Sequence, residues 1–277
     1  MVPLGMVAGG GRLPTILAES LARNGGPPLA VVALRGEADP ALQRHAAHWG
    51  WVHPGQFRKT LTLLRRFGAR EVVLAGRVRK VRLWNLRPDT LALRMALGLR
   101  HTQDDHLLRA VAGVFESHGV RVRGVGELLP SLLAPAGVLT RREPTAQQWQ
   151  DVRFGWNMAR ALGTLDIGQG VVVRGGTVVA VEALEGTDAM LARAGALCPG
   201  QGVFVKTCKP QQDRRLDLPA VGPETLRALA AATIPVLAVE AGGVLLLDLE
   251  ETLALAERHG IAVVGCEPQD MERQHHE

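Results

Sequence analysis

Residues 4–34 constrain the fold more than any other stretch. The apolar run Leu4-Gly-Met-Val-Ala8 ends on three consecutive glycines, Gly9, Gly10 and Gly11. Leu13 and Pro14 then stand where a helix can begin, and Ile16, Leu17, Ser20 and Leu21 continue at helical spacing. A second apolar run, Leu29–Leu34, follows the break at Gly25-Gly26-Pro27-Pro28. The order strand, glycine turn, helix, strand brings backbone N–H groups and a helix N-terminus to the end of the first strand, where an anion is well received. The spacing is not G-x-G-x-x-G, so it carries no dinucleotide signature. A tight turn without any ligand fits the same residues.

The alternation continues along the chain. Phe57 to Phe67 reads as a helix with Leu61, Leu64 and Phe67 on one face, and Glu71–Ala75 as a strand. Gly76 and Arg77, followed by Val78-Arg79-Lys80, put a glycine and cations at that strand's end. Asp104 and Asp105 open an amphipathic helix carrying Leu107, Leu108, Val111, Val114 and Phe115. Acids in a first turn complement the helix dipole, and Thr102 with Asp105 resembles a capping box, so metal binding is not the first explanation for the pair. Pro130, Pro135, Gly137 and Pro144 mark a connection between halves. Beyond it come a helix over 147–162, a Val-rich hairpin over 171–182 around Gly175-Gly176, and a second hairpin over 236–247 around Gly242-Gly243. Helices over 223–232 and 249–259 and a strand over 261–265 complete the pattern. The expectation is an α/β protein: an N-terminal Rossmann-like domain over residues 1–134, followed by a second mixed α/β domain over 135–277.

Composition narrows the function. The chain has 277 residues, and no stretch reaches 18 consecutive apolar residues. Its first residues lack the basic start of a signal peptide, which predicts a cytosolic protein. Cys198, Cys208 and Cys266 are widely spaced without a CxxC pair, which points to neither disulfides nor zinc. Cys208 lies between two lysines, but a small packing residue is the simpler reading. The net charge of +5 favours a polyanionic partner. Tyr is absent and aromatics are only 4%, so a stacking platform for nucleic acid has little material, and no nucleic-acid partner is expected.

The densest chemistry lies in 206–217, where Lys206, Lys209, Asp213, Arg214, Arg215 and Asp217 follow the apolar run Gly202–Val205. Open α/β sheets bind ligands outside the carboxyl ends of their strands. Cations there suit phosphate oxygens, and carboxylates suit a metal ion or an attacking water. A solvated loop whose charges pair with one another fits the same residues. Asp166-Ile-Gly-Gln169 precedes the first hairpin and Glu182-Ala-Leu-Glu-Gly-Thr-Asp188 follows it, although Thr187 or Asp188 also reads as a helix cap. No Ser-His-Asp or Cys-His pattern is present, and metal-assisted phosphoryl chemistry fits the residues better.

These motifs together resemble the family of UDP-2,3-diacylglucosamine pyrophosphatases of lipid A biosynthesis, the type unrelated to calcineurin-like phosphoesterases. The resemblance rests on residues 4–14, Leu74-Ala-Gly-Arg-Val78, Arg87-Pro-Asp89, Asp104-Asp-His-Leu-Leu-Arg109 and Asp166–Gln169. It continues through 180–188, Lys206-Thr-Cys-Lys-Pro-Gln-Gln-Asp213, Asp217-Leu-Pro219 and Ala238–Gly242. Arg214-Arg215-Leu216 departs from the family pattern, which is less basic and ends in an aromatic. The resemblance implies hydrolysis of the UDP-linked lipid to UMP and 2,3-diacylglucosamine 1-phosphate, with a divalent cation, Mg2+. It also implies an N-terminal domain for the UDP portion, a C-terminal domain for the acylated sugar phosphate, and peripheral association with the inner membrane. A nucleotide-sugar-binding regulator without turnover is the alternative.

Catalytic roles are expected for Asp213, Asp217, Lys206 and Lys209, and metal ligation for Asp213 and Asp188. Substrate contacts are expected from Gly9, Gly10, Gly11, Leu13, Pro14, Gly76, Arg77, Asp104, Asp105, Gln169, Glu185, Gly186, Thr187, Asp188 and Gln212. Residues 77–100 carry seven cations against Asp89 alone, and with Leu83 or Trp84 could meet an anionic membrane surface. A homodimer is left open.

Overall fold

The computed structural model describes residues 1–78, 88–98 and 104–272. It divides into two units. One holds Met1–Pro130 together with Asp213–Asp217, and the other holds Ser131–Gln212 and Leu218–Glu277. The charged loop therefore belongs in part to each: Lys206, Lys209 and Gln212 to the second unit, Asp213 and Asp217 to the first.

The first unit runs β1 (Leu4–Ala8), α1 (Leu13–Arg23), β2 (Leu29–Leu34), β3 (His48–Val52), α2 (Phe57–Arg66), β4 (Glu71–Ala75), α3 (Thr90–Gly98), α4 (Asp104–Ser117), β5 (Arg121–Arg123) and α5 (Val125–Leu128). The strands form one parallel sheet in the order β3-β2-β1-β4-β5. The chain moves outward from β1 to β3, then crosses to β4 on β1's other side. With right-handed crossovers, this reversal places helices on both faces and opens a crevice at the carboxyl ends of β1 and β4. On one face Val32, Val52, Val72 and Val122 pack with Leu61 and Leu64 of α2 and with Ala112 and Phe115 of α4. Each such fully buried aliphatic side chain is worth roughly 1.5–3 kcal/mol. Leu216, from the charged loop, is buried in this same core. Asp89 accepts from the N–H groups of Leu91 and Ala92, both at 3.0 Å, and so caps α3.

The second unit contains β6 (Gly137–Val138), α6 (Ala146–Thr164), β7 (Gly170–Arg174), β8 (Thr177–Val181), α7 (Thr187–Leu197), β9 (Val203–Lys206), β10 (Ala220–Val221), α8 (Pro223–Ala231), β11 (Val236–Glu240), β12 (Leu245–Leu246), α9 (Leu249–His259), β13 (Ala262–Cys266) and α10 (Pro268–Glu272). Its main sheet has the order β6-β13-β11-β9-β7-β8, with β9, β11 and β13 parallel and β7 antiparallel to β9. Alternation along each strand divides the core. Val171, Val173, Val203, Val205 and Ala238 face Trp156 and its neighbours on α6. Val172, Phe204, Leu237 and Val239 face α7, α8 and α9. The hairpin at Gly175-Gly176 has positive φ at both glycines (56° and 70°), as its two-residue turn requires. Buried Asp151 of α6 fixes that turn by accepting from both glycine N–H groups, at 2.9 and 2.7 Å.

The α/β expectation holds in both halves, but two local expectations do not. No hairpin forms over 236–247. After β11 the chain turns back on Glu240, whose carbonyl accepts from Gly243 and Val244, and β12 joins β10 in a separate parallel pair. Neither Thr187 nor Asp188 caps α7: its N-cap is Gly186, without a side-chain cap, and Thr187 is already inside the helix. Thr102 and Arg79–Arg87 lie outside the described residues, as does most of the basic segment.

Candidate active site

In the first unit the loops after β1 and β4 are joined backbone to backbone. Gly10 donates to the Arg77 carbonyl at 2.8 Å and Arg77 donates back to Gly10 at 2.9 Å. The approach excludes side chains: a Cβ on Gly76 would stand 2.6 Å from the Gly10 oxygen, and one on Gly9 would stand 2.7 Å from the Arg77 oxygen. Helix α1 begins two residues after Gly11 without a side-chain cap, with Leu13 half-buried and Pro14 buried. Exposed Gly11 and Arg77 flank this edge. A glycine turn leading into an uncapped helix N-terminus is suited to phosphate oxygens. Seven expected ligand-binding residues (Gly9, Gly10, Gly11, Leu13, Pro14, Gly76 and Arg77) thus share the carboxyl edge of β1 and β4. Asp104 and Asp105 open α4, and their side chains lie outside the description.

Asp213 stands at the same sheet's β5 end. Gly124 directly follows β5, and its Cβ direction points at the Arg215 backbone, with Arg215 Cα only 3.0 Å from the position a Cβ would take. Arg215 grips Asp213 through three contacts: its backbone N–H and Nε to Oδ1 at 3.0 and 3.1 Å, and Nη2 to Oδ2 at 2.8 Å. Its remaining arm reaches Glu116 at 2.8 Å. The hydrogen bond from the Arg215 side chain is the main force holding the Asp213 carboxyl below its usual range, and the Arg109 charge adds to it. The same pairing raises Arg215 above its ordinary value. Asp213 is therefore a fixed anion. Asp217 is exposed and lies one turn on, its N–H directed to the Asp213 carbonyl at 3.4 Å.

The second unit gathers its polar residues at one sheet edge: the ends of β8, β9 and β11 and the start of β7. Lys206 is buried, and its ammonium group donates to both Glu182 oxygens at 3.1 Å and to Thr187 Oγ1 at 2.8 Å. The Thr187 hydroxyl in turn donates to Glu182. All three ammonium hydrogens have an acceptor, so Lys206 anchors the loop before α7. The Lys209 ammonium donates to Asp166 Oδ1. Buried Gln212 accepts from the Lys209 N–H and the Cys208 thiol, both at 3.1 Å, which folds the Lys-Pro-x-Gln segment into a turn. Glu240, fully buried, accepts from the Cys208 N–H at 3.0 Å and faces Arg160 at 3.8 Å. Glu185 pairs with Arg193 at 2.8 Å, and Asp188 is exposed in the first turn of α7. Thr207 Oγ1 and Gln169 Oε1 are buried without a hydrogen-bond partner among the described residues.

Sequence reasoning missed Glu182 and Asp166 as partners of the two lysines, and it gave no role to Glu240 and Thr207, although both lie within the motifs that carry the resemblance. The available signal was positional, since each lies at or beside a strand end on this edge. Among the described residues no group of three or more His, Cys, Asp or Glu side chains could hold a metal ion.

Fold and edge geometry together define a two-unit α/β protein with phosphate-suited strand ends and a fixed carboxylate in its charged loop. Residues 3–132 match the LpxI N-terminal domain and residues 135–264 the LpxI C-terminal domain. The chain belongs to the LpxI family. A relative from Caulobacter vibrioides, UDP-2,3-diacylglucosamine pyrophosphatase LpxI, is 38% identical over 281 residues, covering 98% of this chain and 99% of its own. Solved structures resemble it only weakly. N5-carboxyaminoimidazole synthetase from Staphylococcus aureus is 14% identical, covering 65% of this chain and 40% of its own with a TM-score of 0.26. Gox2253 is 11% identical, covering 71% of this chain and 66% of its own with a TM-score of 0.29. Neither carries an argument about fold or function.

Proposed function

We propose that this protein hydrolyses the pyrophosphate bond of UDP-2,3-diacylglucosamine, releasing UMP and 2,3-diacylglucosamine 1-phosphate in lipid A biosynthesis. The observation that carries this reading is family membership along nearly the whole chain, with a relative of that activity matched at 38% identity. The geometry supports it. The glycine loops and the α1 N-terminus suit the diphosphate of the UDP portion. Around the second unit's polar edge, Leu165, Ile167 and Leu184 expose 66%, 46% and 84% of their surface, an apolar border suited to an acylated sugar.

The chemistry is attack of water on phosphorus with rupture of the P–O–P bridge. Asp213, kept ionised by Arg215, orients the water or ligates a cation, and Asp217 is its competitor for that role. Magnesium fits here only as a partly hydrated ion held by one or two carboxylates and the substrate's own phosphates. Arg215 leaves Asp213 Oδ2 with a further lone pair for it. Such an ion would offset the negative charge of the phosphates. Lys206 and Lys209 act through their partners, fixing the loops that present Gln169, Gly186, Thr187 and Gln212. Gln169 and Thr207 offer buried hydrogen-bonding groups for sugar hydroxyls. No helix among the described residues is long and apolar enough to cross a membrane. Access to the lipid in this reading comes from peripheral association with the inner membrane face.

Purified protein incubated with UDP-2,3-diacylglucosamine and magnesium should release UMP, and EDTA should stop it. Stabilisation by UDP without any UMP release would favour a binding protein instead. Release that survives EDTA would remove the metal while leaving the hydrolysis.

A further inference from the structure

We infer that Glu37 accepts the ribose hydroxyls of the nucleotide and so sets the preference for a ribonucleotide. The inference rests on the nucleotide reading above and deepens it. Strand β2 ends at Leu34, whose carbonyl accepts from the N–H groups of Glu37 at 3.1 Å and Ala38 at 2.9 Å. This tight turn brings Glu37, half-buried, back to the carboxyl edge of the sheet. Its Oε2 lies 3.5 Å, and its carbonyl oxygen 3.2 Å, from the position a Cβ on Gly10 would occupy. An acid thus stands against the glycine loop, one strand over from β1. In open parallel sheets with phosphate at the first helix N-terminus, an acid near the end of the second strand is placed to accept from the ribose.

The sheet order gives a second argument. Along the carboxyl edge stand β2 with Glu37, β1 with Gly9–Gly11, β4 with Gly76 and Arg77, and β5 with Gly124 and the Asp213–Arg215 segment. At roughly 4.8 Å between neighbouring strands, Glu37 and the β5 end are separated by roughly 14 Å. A nucleoside diphosphate laid along this edge with its ribose at Glu37 sets its phosphates over the glycine loops. The rest of the molecule then runs toward Arg77 and Asp213. The opposite direction would put the ribose hydroxyls at Asp213, whose carboxylate Arg215 already holds through three contacts.

A carboxylate accepting two hydroxyls loses one partner when the 2′-hydroxyl is missing. The test is calorimetric binding of UMP and 2′-deoxy-UMP to the full chain, wild type and Glu37→Ala. Wild type should prefer UMP by about tenfold, the usual scale for one hydrogen bond to a charged group. Glu37→Ala should bind UMP only as tightly as 2′-deoxy-UMP, while its affinity for 2′-deoxy-UMP, which also reports that the variant is folded, falls far less. Equal binding of the two nucleotides by wild type, or unchanged discrimination in Glu37→Ala, overturns the proposal alone if UMP release persists. Binding of neither nucleotide, with no UMP released, overturns the nucleotide reading and this proposal with it.

Discussion

Replacing Lys206 by Met tests whether that lysine is a structural anchor or a free phosphate ligand. Its side chain is 7% exposed and that of its partner Glu182 12%, with both Glu182 oxygens 3.1 Å from the ammonium nitrogen. Removing the cation leaves a nearly buried carboxylate with the Thr187 hydroxyl as its remaining donor among the described residues. Breaking one side of such a pair typically costs about 3–5 kcal/mol. For a unit of this size, that should lower the second unit's melting temperature by about 10–20 °C. Removing both charges, in Lys206→Met with Glu182→Leu, leaves neither ion stranded and should recover much of the loss. Thermal and urea unfolding by circular dichroism, fitted with separate transitions for the two units, measures both variants. A Lys206→Met protein within about 1 kcal/mol of wild type, or a double variant less stable than the single, would refute the anchor and return Lys206 to the phosphate.

Asp213→Ala should fold, since it leaves no core cavity, and turnover should fall about 100-fold or more, roughly 3 kcal/mol; wild-type turnover beside a dead Asp217→Ala would move the role to Asp217. Arg215 lowers the Asp213 carboxyl, so the pair stabilises the fold above the ordinary aspartate range near pH 4 and loses that contribution as pH falls through the lowered folded value. The stability gap between wild type and Asp213→Asn should therefore shrink in acid denaturation below about pH 4, and a gap that stays constant contradicts the pairing. Thr207→Val removes a buried hydroxyl that has no partner among the described residues, so unfolding should show a gain of about 1 kcal/mol while the Michaelis constant for the UDP-lipid rises; a gain with unchanged kinetics would make the hydroxyl irrelevant to substrate. Cys198, Cys208 and Cys266 are all buried, and burial pushes the Cys266 thiol up to about 12, so iodoacetamide at pH 8 should label none of them before unfolding.

Some of this architecture is legible in the chain because local chemistry and tertiary environment agree. β1, β2 and β4 are apolar runs ended by glycine or a turn, and they became the central parallel strands. β3 was not legible: His48-Trp-Gly-Trp-Val52 lacks a clean apolar run because it lies at the sheet's edge, with only Val52 buried. The false hairpin at Gly242-Gly243 has the same cause in reverse. Two apolar runs around paired glycines carry a hairpin signature, but the Glu240 carbonyl takes the turn's N–H groups and Leu245 pairs with Ala220 instead. The charged loop was found by residue density, yet its partners were not. Glu182 and Asp166 lie 24 and 43 positions from their lysines, beyond any local pattern. Leu216 held the clue to the loop's division between units, as a leucine between Arg215 and Asp217 that buries itself in the first unit's core.

The most direct test of the central claim is ³¹P NMR of the reaction of wild-type protein with UDP-2,3-diacylglucosamine and magnesium. Cleavage of the pyrophosphate bond predicts loss of the two anhydride resonances and the appearance, in equal amounts, of two phosphomonoester signals, those of UMP and 2,3-diacylglucosamine 1-phosphate. Persistence of both anhydride resonances with folded protein, or their conversion to those of free UDP by cleavage at the sugar, would contradict it.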